Sequence, residues 1–267
     1  AAINVGGAVT NVALSLNSTS ASSSITGIIS GSVAITYNSA SNYNSNANGI
    51  LTLTKANTYT GGTVVAASKL VLGDNAALGT GLVTVGSAAS SVGTVDLKSF
   101  SVANNFKIYG GAAVGAIINS TLSSTSTVSG NVSLDTSTAS LGGVGNLTIS
   151  GVVNDNAKGI AFVGSGDFVL SNSSNTISSI GTIAGSNSIG SLTIVDNTNL
   201  TIGSVTVNSV AYSGIKSSGS VSITATASST SSAAITSTVA TNALGNVTFT
   251  TNSKTGNGID YTGSTGS

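Results

Sequence analysis

The side chains that could carry out chemistry are few in this chain of 267 residues. The charged side chains are 7 lysines and 7 aspartates, because the chain contains no His, Cys, Arg or Glu. Acid/base and nucleophilic catalysis draws mainly on His, Glu, Cys, Asp and Lys, so only Asp and Lys remain as candidates. We therefore predict that the protein is not an enzyme.

The aspartates form two pairs whose spacing would place them on adjacent coils of a repetitive fold. Asp74 and Asp96 are one pair, and Asp135 and Asp155 are the other. A lyase or hydrolase would need two or three carboxylates on one face, or a cation with basic partners. Solvated turn caps are the simpler interpretation, and we predict no catalytic and no cofactor-binding residue.

Two segments carry oxygen atoms that calcium could use. The run Gly164-Ser165-Gly166-Asp167-Phe168-Val169 resembles the nonapeptide calcium roll, but it lacks the residue between the last Gly and Asp and occurs once. The run Asn154-Asp155-Asn156 offers side-chain oxygens as well. Ordinary Asx turns explain both runs, so we predict no metal site and keep structural calcium as the alternative.

The overall composition favours strands and turns. Glu, Gln and Arg, three of the usual residues on the solvent face of a helix, are absent, whereas Gly, Ser, Thr and Asn abound. The net charge is +0 and the mean hydropathy is +0.40, values that argue against disorder. A charged fraction of 5% gives no cationic surface for nucleic acid or anionic lipid, so we predict neither partner and no membrane insertion.

Short runs with a period of two recur along the chain, with apolar residues alternating with hydroxyl residues. Clusters of Gly, Asn and Ser, which form tight turns, separate them. We predict strands at Leu51–Thr54, Leu82–Val85, Val132–Leu134, Leu147–Ile149, Leu192–Ile194, Leu200–Ile202, Val205–Val207, Val221–Thr224 and Val247–Thr250.

A sandwich and a solenoid would both use these strands. An aromatic content of only 4% favours the solenoid, since a sandwich of this size buries several large rings. We predict an all-β, right-handed parallel β-helix (β-solenoid), a single elongated body in which residues 1–267 form one domain. Coils of roughly 20 to 25 residues are expected. The segment from Asn38 to Asn48 is the expected excursion from the coil path.

One motif is specific: Asn57-Thr58-Tyr59-Thr60-Gly61-Gly62-Thr63, followed by Val64-Val65 and by Lys69-Leu70. It resembles the passenger-associated transport repeat of bacterial autotransporters, although that family usually has Gly near Ala56 and near Ser68. The resemblance implies a turn between consecutive sides of a parallel β-helix coil, and export of the protein to the bacterial cell surface. Outside the motif, runs such as Gly214–Val221 resemble the β-strand repeats of filamentous-haemagglutinin-like secreted proteins.

Tyr59 in this motif and three pairs of threonines along the chain suggest a binding role. Tyr59 is expected to pack over its own corner, with a surface recognition role as the alternative. Thr pairs at 52/54, 58/60 and 248/250 are of the type that binds ice, but ice binding needs a regular Thr array repeated at the coil spacing. The sequence alone shows no such register.

The functional prediction follows from the scarcity of residues that protect exposed strand edges. A solenoid has two open ends, which natural proteins protect with charges, Pro or caps, and this chain has no Pro and hardly any charge. Low charge also reduces repulsion between molecules. We predict an extracellular, secreted bacterial protein that self-associates into a surface fibre or layer. The alternative is an adhesin passenger whose solenoid presents loops, such as Asn38–Asn48, to a host receptor or glycan.

Overall fold

Parallel β-strands form nearly all of the regular structure, as the alternating pattern predicts. The computed structural model describes residues 4–5, 9–10, 14–17, 23–38, 49–87, 93–110, 114–135, 137–182, 184–186, 188–226, 233–252, 258–261 and 265–266. Within these ranges there is no helix, and so none that is long and apolar enough to cross a membrane. The strands are two to five residues long, and inward apolar residues alternate with outward polar ones over most of them.

The largest sheet, which we call the long face, contains 12 strands. Neighbouring strands in it are parallel and lie one coil apart in the chain. In order along the body, they are Asn4–Val5, Ser23–Ile25, Ile50–Leu53, Lys69–Leu72, Thr94–Asp96, Ile117–Asn119, Ala139–Gly143, Ile160–Val163, Ser179–Gly181, Leu200–Ile202, Ile235–Ser237 and Ile259–Tyr261.

Two further sheets run beside the long face. The seven-stranded face contains Leu14–Asn17, Ile35–Asn38, Thr63–Val65, Val83–Val85, Phe106–Ile108, Val132–Leu134 and Val153–Asn154. The six-stranded face contains Thr125–Val128, Asn146–Ile149, Phe168–Leu170, Leu192–Asp196, Val221–Ala225 and Val247–Thr251. Smaller parallel sheets pair Val9–Thr10 with Ile29–Ser30, and join Ile215–Ser217, Thr241–Ala243 and Thr265–Gly266.

The register places similar aliphatic side chains beside one another in neighbouring coils. This explains how a core forms with so few aromatic rings. On the long face, Leu51 lies beside Leu70, Leu70 beside Val95, and Val95 beside Ile117. All four side chains are fully buried and belong to one hydrophobic cluster that extends from Leu16 to Ile235. Burying an aliphatic side chain of this size stabilises the fold by about 1.5–3 kcal/mol, so repetition supplies what large rings would otherwise provide.

The coil length varies around the predicted value. Side-chain hydrogen bonds between neighbouring coils join residues separated by 20 positions at Asn57 and Ala77, and by 28 positions at Ile29 and Asn57. The cross-section changes as well, because the seven-stranded face stops pairing after a bridge between Asn154 and Thr176. The three-stranded sheet begins with a bridge between Ile189 and Ser217.

One predicted strand does not follow the coil path. Ser204–Val207 pairs antiparallel with Val210–Ser213, and Asn208 (φ 47°) and Ser209 (φ 66°) form the turn between them. Val205, Val207 and Tyr212 pack this hairpin against Ala161 and Val163, which face outward from the long face. The chain thus makes an excursion here that the sequence interpretation missed.

The predicted fold class is confirmed: the protein is an all-β, parallel β-solenoid with a single elongated body. Right-handed winding stays a prediction that rests on the handedness of parallel crossovers. The expected excursion at Asn38–Asn48 falls outside the described residues, apart from Asn38, which ends the strand Ile35–Asn38.

Candidate functional site

The motif Asn57–Thr63 lies at a corner between the long face and the seven-stranded face, where Asn57 joins three coils. Its side chain is 4% exposed, and its Oδ1 accepts a hydrogen bond from the backbone N–H of Ile29 at 2.8 Å. Its Nδ2 donates to the carbonyl of Ala77 at 2.7 Å. The side-chain amide of Asn57 therefore bonds to a backbone donor of one neighbouring coil and to a backbone acceptor of the other. Its role at this corner is structural.

Tyr59 packs inside the coil and not on the surface. Its side chain is fully buried, and its hydroxyl shares a hydrogen bond with the Thr63 hydroxyl. Burial raises the pKa of Tyr59 to about 12, a rise that the bond to Thr63 partly offsets. A surface recognition role for this ring is inconsistent with its position.

The two motif glycines let neighbouring coils approach closely. A Cβ atom on Gly61 would lie 2.4 Å from the carbonyl oxygen of Val33, and one on Gly62 would lie 2.8 Å from that of Leu82. Gly62 also has φ +85°, which disfavours other residues. The corner therefore packs backbone against backbone.

The structure does not bring Asp74 and Asp96 together as an acid/base pair. Asp74 caps its own turn by accepting from the Ala76 N–H at 2.8 Å. Asp96 is 1% exposed and forms an ion pair with Lys69 at 2.7 Å on the outer side of the long face. Its Oδ1 also accepts from the backbone N–H of Lys98 and of Ser120.

Asp135 and Asp155 also have separate partners. Asp135 forms a half-exposed ion pair with Lys107 at 3.2 Å, and the Lys107 ammonium lies 4.7 Å from the centre of the Tyr109 ring. A side-chain hydrogen bond with Tyr109 is the main cause that raises the pKa of Lys107, followed by the hydrogen bond with Asp135.

Asp155 is 1% exposed and links its own turn to the next coil. Its Oδ1 accepts from the Ala157 N–H at 2.9 Å, and its Oδ2 accepts from the Gly159 N–H at 3.0 Å. Its Oδ2 also accepts from the Ser178 N–H at 2.8 Å and the Ser178 hydroxyl at 2.7 Å. Four donors on one carboxylate make Asp155 an anchor for two coils.

A groove of about 310 Å³ lies beside Asp155 and is lined by Asn154, Ala157, Thr176, Ser178, Thr198 and Asn199. The carboxylate of Asp196 is also buried, and it lies close enough to Asp155 for the negative charge of Asp155 to raise its pKa. Burial is the main cause that raises the pKa of Asp196, while bonds from Thr198 and Ile177 lower it. Both carboxylates already accept backbone donors, so neither is a free acid/base group beside the groove.

The segments considered for calcium use their oxygens for a turn at Asn154 and for a bond to the next coil at Asp167. Asn154 Oδ1 accepts from the Asn156 N–H at 2.9 Å, and Asp167 Oδ1 accepts from the Ser191 N–H at 2.6 Å. In the described part of the chain, no group of three or more Asp, Glu, His or Cys side chains is placed to hold a metal. The absence of a metal role for these residues stays a prediction.

Sequence reasoning missed three structural features around these residues. Asn175, at a coil corner, resembles Asn57, because it accepts from the Val153 N–H and donates to the carbonyls of Leu170 and Val195. The ion pair between Lys69 and Asp96 was not foreseen either.

The third missed feature concerns the Thr pairs. Thr248 and Thr250 lie in register with Ser222 and Thr224 of the preceding coil, so a repeated hydroxyl register does exist on the six-stranded face. The alternating pattern marks such residues as outward, but only the register shows which of them are neighbours.

Comparison with protein-family models, with curated proteins and with solved structures finds no match to the chain. The parallel solenoid is compatible with a β-helix passenger, as the motif implies.

The corner at Asn57 yields a first prediction. Asn57→Ala leaves the buried Ile29 N–H and Ala77 carbonyl without partners, and each unpaired group costs about 1–3 kcal/mol. We expect urea denaturation to show a loss of at least about 2 kcal/mol. Asn105→Ala is the matched control, because Asn105 also bonds to the next coil, at the Asn131 N–H, but is exposed. Equal losses in the two variants would contradict the role assigned to Asn57.

A second prediction concerns Asp155. Asp155→Asn replaces one acceptor oxygen by an NH₂ group that faces backbone donors, so we expect the free energy of unfolding to fall by about 1–3 kcal/mol. Asp135→Asn should leave it unchanged within error, since a half-exposed ion pair contributes little. A thermal melt of both variants tests this, and a larger loss for Asp135→Asn would refute the assignment.

A third prediction concerns the pH dependence of stability. The folded-state pKa of Asp196 lies above its ordinary value of 3.8, so the folded protein binds this proton more tightly than the unfolded chain does. The contribution of Asp196 to stability therefore falls as the pH rises from 3.8 through the folded-state pKa.

Urea titrations from neutral pH down to 3.8 should show the unfolding free energy of the wild type rising relative to that of Asp196→Asn. A constant difference between the two proteins across that range would show that Asp196 does not titrate abnormally.

Proposed function

We propose that the protein is a non-enzymatic, extracellular structural protein whose solenoids self-associate into a surface fibre or surface layer. The observation that carries this proposal is the burial of carboxylates in a chain already poor in charge. Asp96, Asp155 and Asp196 are each 1% exposed, although only 7 aspartates occur in the whole sequence. The surface therefore carries even less charge than the composition indicates.

Low surface charge favours association because colloidal repulsion between copies is weak. At Asp135, the charge is further reduced by the ion pair with Lys107. Large apolar side chains are exposed as well, most of all Leu122 at 71% and Leu244 at 87%. Contact between two copies of such a surface brings few ions together and removes apolar area from water.

A non-enzymatic role is supported by what the carboxylates do. Asp74, Asp96, Asp155, Asp167 and Asp196 each accept at least one backbone hydrogen bond. A carboxylate that accepts hydrogen bonds within a turn or between two coils contributes to the fold. Its use in catalysis would break those bonds. We accordingly propose no cofactor, with structural calcium as the alternative.

Membership of the bacterial autotransporter passengers is part of this proposal. It is supported by the motif Asn57–Thr63, whose buried asparagine and close glycines form a corner of a parallel coil. Passengers are exported to the cell surface, which is the location we propose here. The likeness to filamentous-haemagglutinin-like repeats points to the same location.

An adhesin that presents a side feature to a receptor or glycan is the second candidate, and the hairpin Ser204–Ser213 favours it. This hairpin leaves the coil path and packs on the long face, with Val210 at its turn 37% exposed. Removal of residues 204–213 with a short Gly-Ser replacement should abolish cell adhesion if this function holds.

Self-association is tested by adding charge at exposed positions. We expect Ser32→Lys, Thr80→Lys, Leu122→Lys and Leu244→Lys, combined in one protein, to keep it monomeric in sedimentation velocity and electron microscopy. The wild type should form fibres or layers at moderate concentration, because its net charge is +0.

Glutamine at the same four positions is the matched control, since it is polar, similar in length and uncharged. The glutamine protein should still assemble, although the two leucines are gone. Monomers of the wild type under all conditions would overturn the proposed function, and loss of assembly in the glutamine protein would overturn the charge argument.

A further inference from the structure

The outward side chains of the six-stranded face form a column of hydroxyl and methyl groups. Register pairs connect, in order, Thr127, Thr148, Val169, Thr193, Ser222 and Thr248. Where the strands are five residues long, a second outward position forms a shorter column of Val195, Thr224 and Thr250. We call these residues the threonine face.

The backbone beneath the threonine face is held firmly. The side chains that alternate with its members point inward, and Leu147, Phe168, Leu192, Val221 and Ile223 are all fully buried. The four inner strands of this face are each paired with a neighbouring strand on both sides. The spacing of the outward groups is therefore set by the sheet and not by mobile loops.

The hydroxyls of this face are not used by the described residues of the protein. In the part of the chain that the structure describes, none of them makes a hydrogen bond to another protein group. Hydroxyls at the corners behave differently: the Ser178 hydroxyl donates to Asp155, and the Ser124 hydroxyl donates to the Thr121 carbonyl. The threonine face therefore offers donors and acceptors that are free to bind something outside.

The columns contain no ionisable side chain. Asp196 ends the strand Leu192–Asp196, but its side chain is 1% exposed and is turned toward the Ile177 and Thr198 backbone. The seven-stranded face is different, because its outward column places Lys107 between Thr84 and Ser133. Of these two faces, only the six-stranded face combines free hydroxyls with an absence of charged side chains.

The outward side chains of the two columns are spaced regularly in two directions, along the strands and across them. Neighbouring strands in a sheet lie about 4.7–4.9 Å apart, and outward residues two positions apart along a strand lie roughly 6.6 Å apart. Water oxygens on the faces of hexagonal ice repeat in two dimensions on a similar scale. A regular set of hydroxyls and methyls at this spacing matches an ordered water layer in a way that a scattered set does not.

We propose that the threonine face binds the ordered water lattice of ice. The hydroxyls hydrogen-bond to lattice water, and the methyl groups of Thr and Val lie between them against the same layer. A charged side chain would orient water around itself and break the lattice, and the face has none. This binding activity goes beyond the proposed self-association and does not depend on it.

The chemistry of the face disfavours the other occupants. Dry pairing with a second copy would bury hydroxyls that lack protein partners, at a cost of about 1–3 kcal/mol for each one left unpaired. A glycan would be expected to stack on exposed aromatic rings, whereas Phe168, the only ring on these six strands besides Phe249, is fully buried. Water satisfies every hydroxyl, so an ice surface fits best.

The test measures how much protein enters growing ice. The full chain is labelled with a fluorophore on its lysines, none of which lies on the threonine face, and a dilute solution is frozen slowly onto a cold surface. We expect the wild type to be enriched in the ice relative to an inert labelled protein. Thr193→Tyr combined with Ser222→Tyr should reduce the share in ice roughly tenfold, equivalent to about 1.4 kcal/mol.

The matched control is Thr36→Tyr combined with Thr84→Tyr, which places the same bulk on the outward column of the seven-stranded face. This protein should enter ice as the wild type does. Thr250→Tyr, at an exposed position, is a second variant that keeps the test decisive if the double variant misfolds, which circular dichroism would reveal.

The proposal is overturned by exclusion of the wild type from ice, by equal entry of the face variants and the wild type, or by equal losses on both faces. A change in sedimentation without a change in ice entry would instead identify the face as a contact between copies, and would also overturn it. The lysine variant that stays monomeric should still enter ice, so failure of self-association and failure of ice binding are distinguishable.

Discussion

Hydrogen bonding from each coil to the next is the constraint on which the rest of this structure depends. Along the faces the strands satisfy it without help, but at the corners the backbone turns and its polar groups need other partners. The chain meets this need in two ways. Glycines such as Gly61 allow backbone groups of adjacent coils to pair directly, and buried side chains such as Asn57, Asn175 and Asp155 bridge the remaining groups.

This constraint also decides where charge is found. A carboxylate can accept several backbone donors at once, so the corners are favourable places for the few aspartates that the chain has. Asp155 accepts four hydrogen bonds and Asp196 accepts three, and both lie inside the body. The requirement for stable corners thus removes ions from the surface, and it links the way the coils are joined to the proposed association of whole molecules.

Much of the fold could be predicted because the alternation of apolar and hydroxyl residues depends only on neighbours in sequence. The run Leu192–Ile194 was placed correctly in this way. The register could not be predicted, because coil length varies between Asn57 and its two neighbouring coils, and one residue of slip changes every cross-coil pair. The run Val205–Val207 has the same local pattern as the coil strands, yet Asn208 and Ser209 turn it into a hairpin.

The same reasoning explains why an array of hydroxyls arises on one face and not on its neighbour. A strand of three residues has one outward position, and most strands of the seven-stranded face, such as Val83–Val85, are of this length. The strands Leu192–Asp196, Val221–Ala225 and Val247–Thr251 have five residues, which gives two outward positions on each coil. A column becomes a two-dimensional lattice only when strands of this length stack without a change of register. Strand length, which is set at the corners, therefore determines whether the surface presents a line of side chains or a plane.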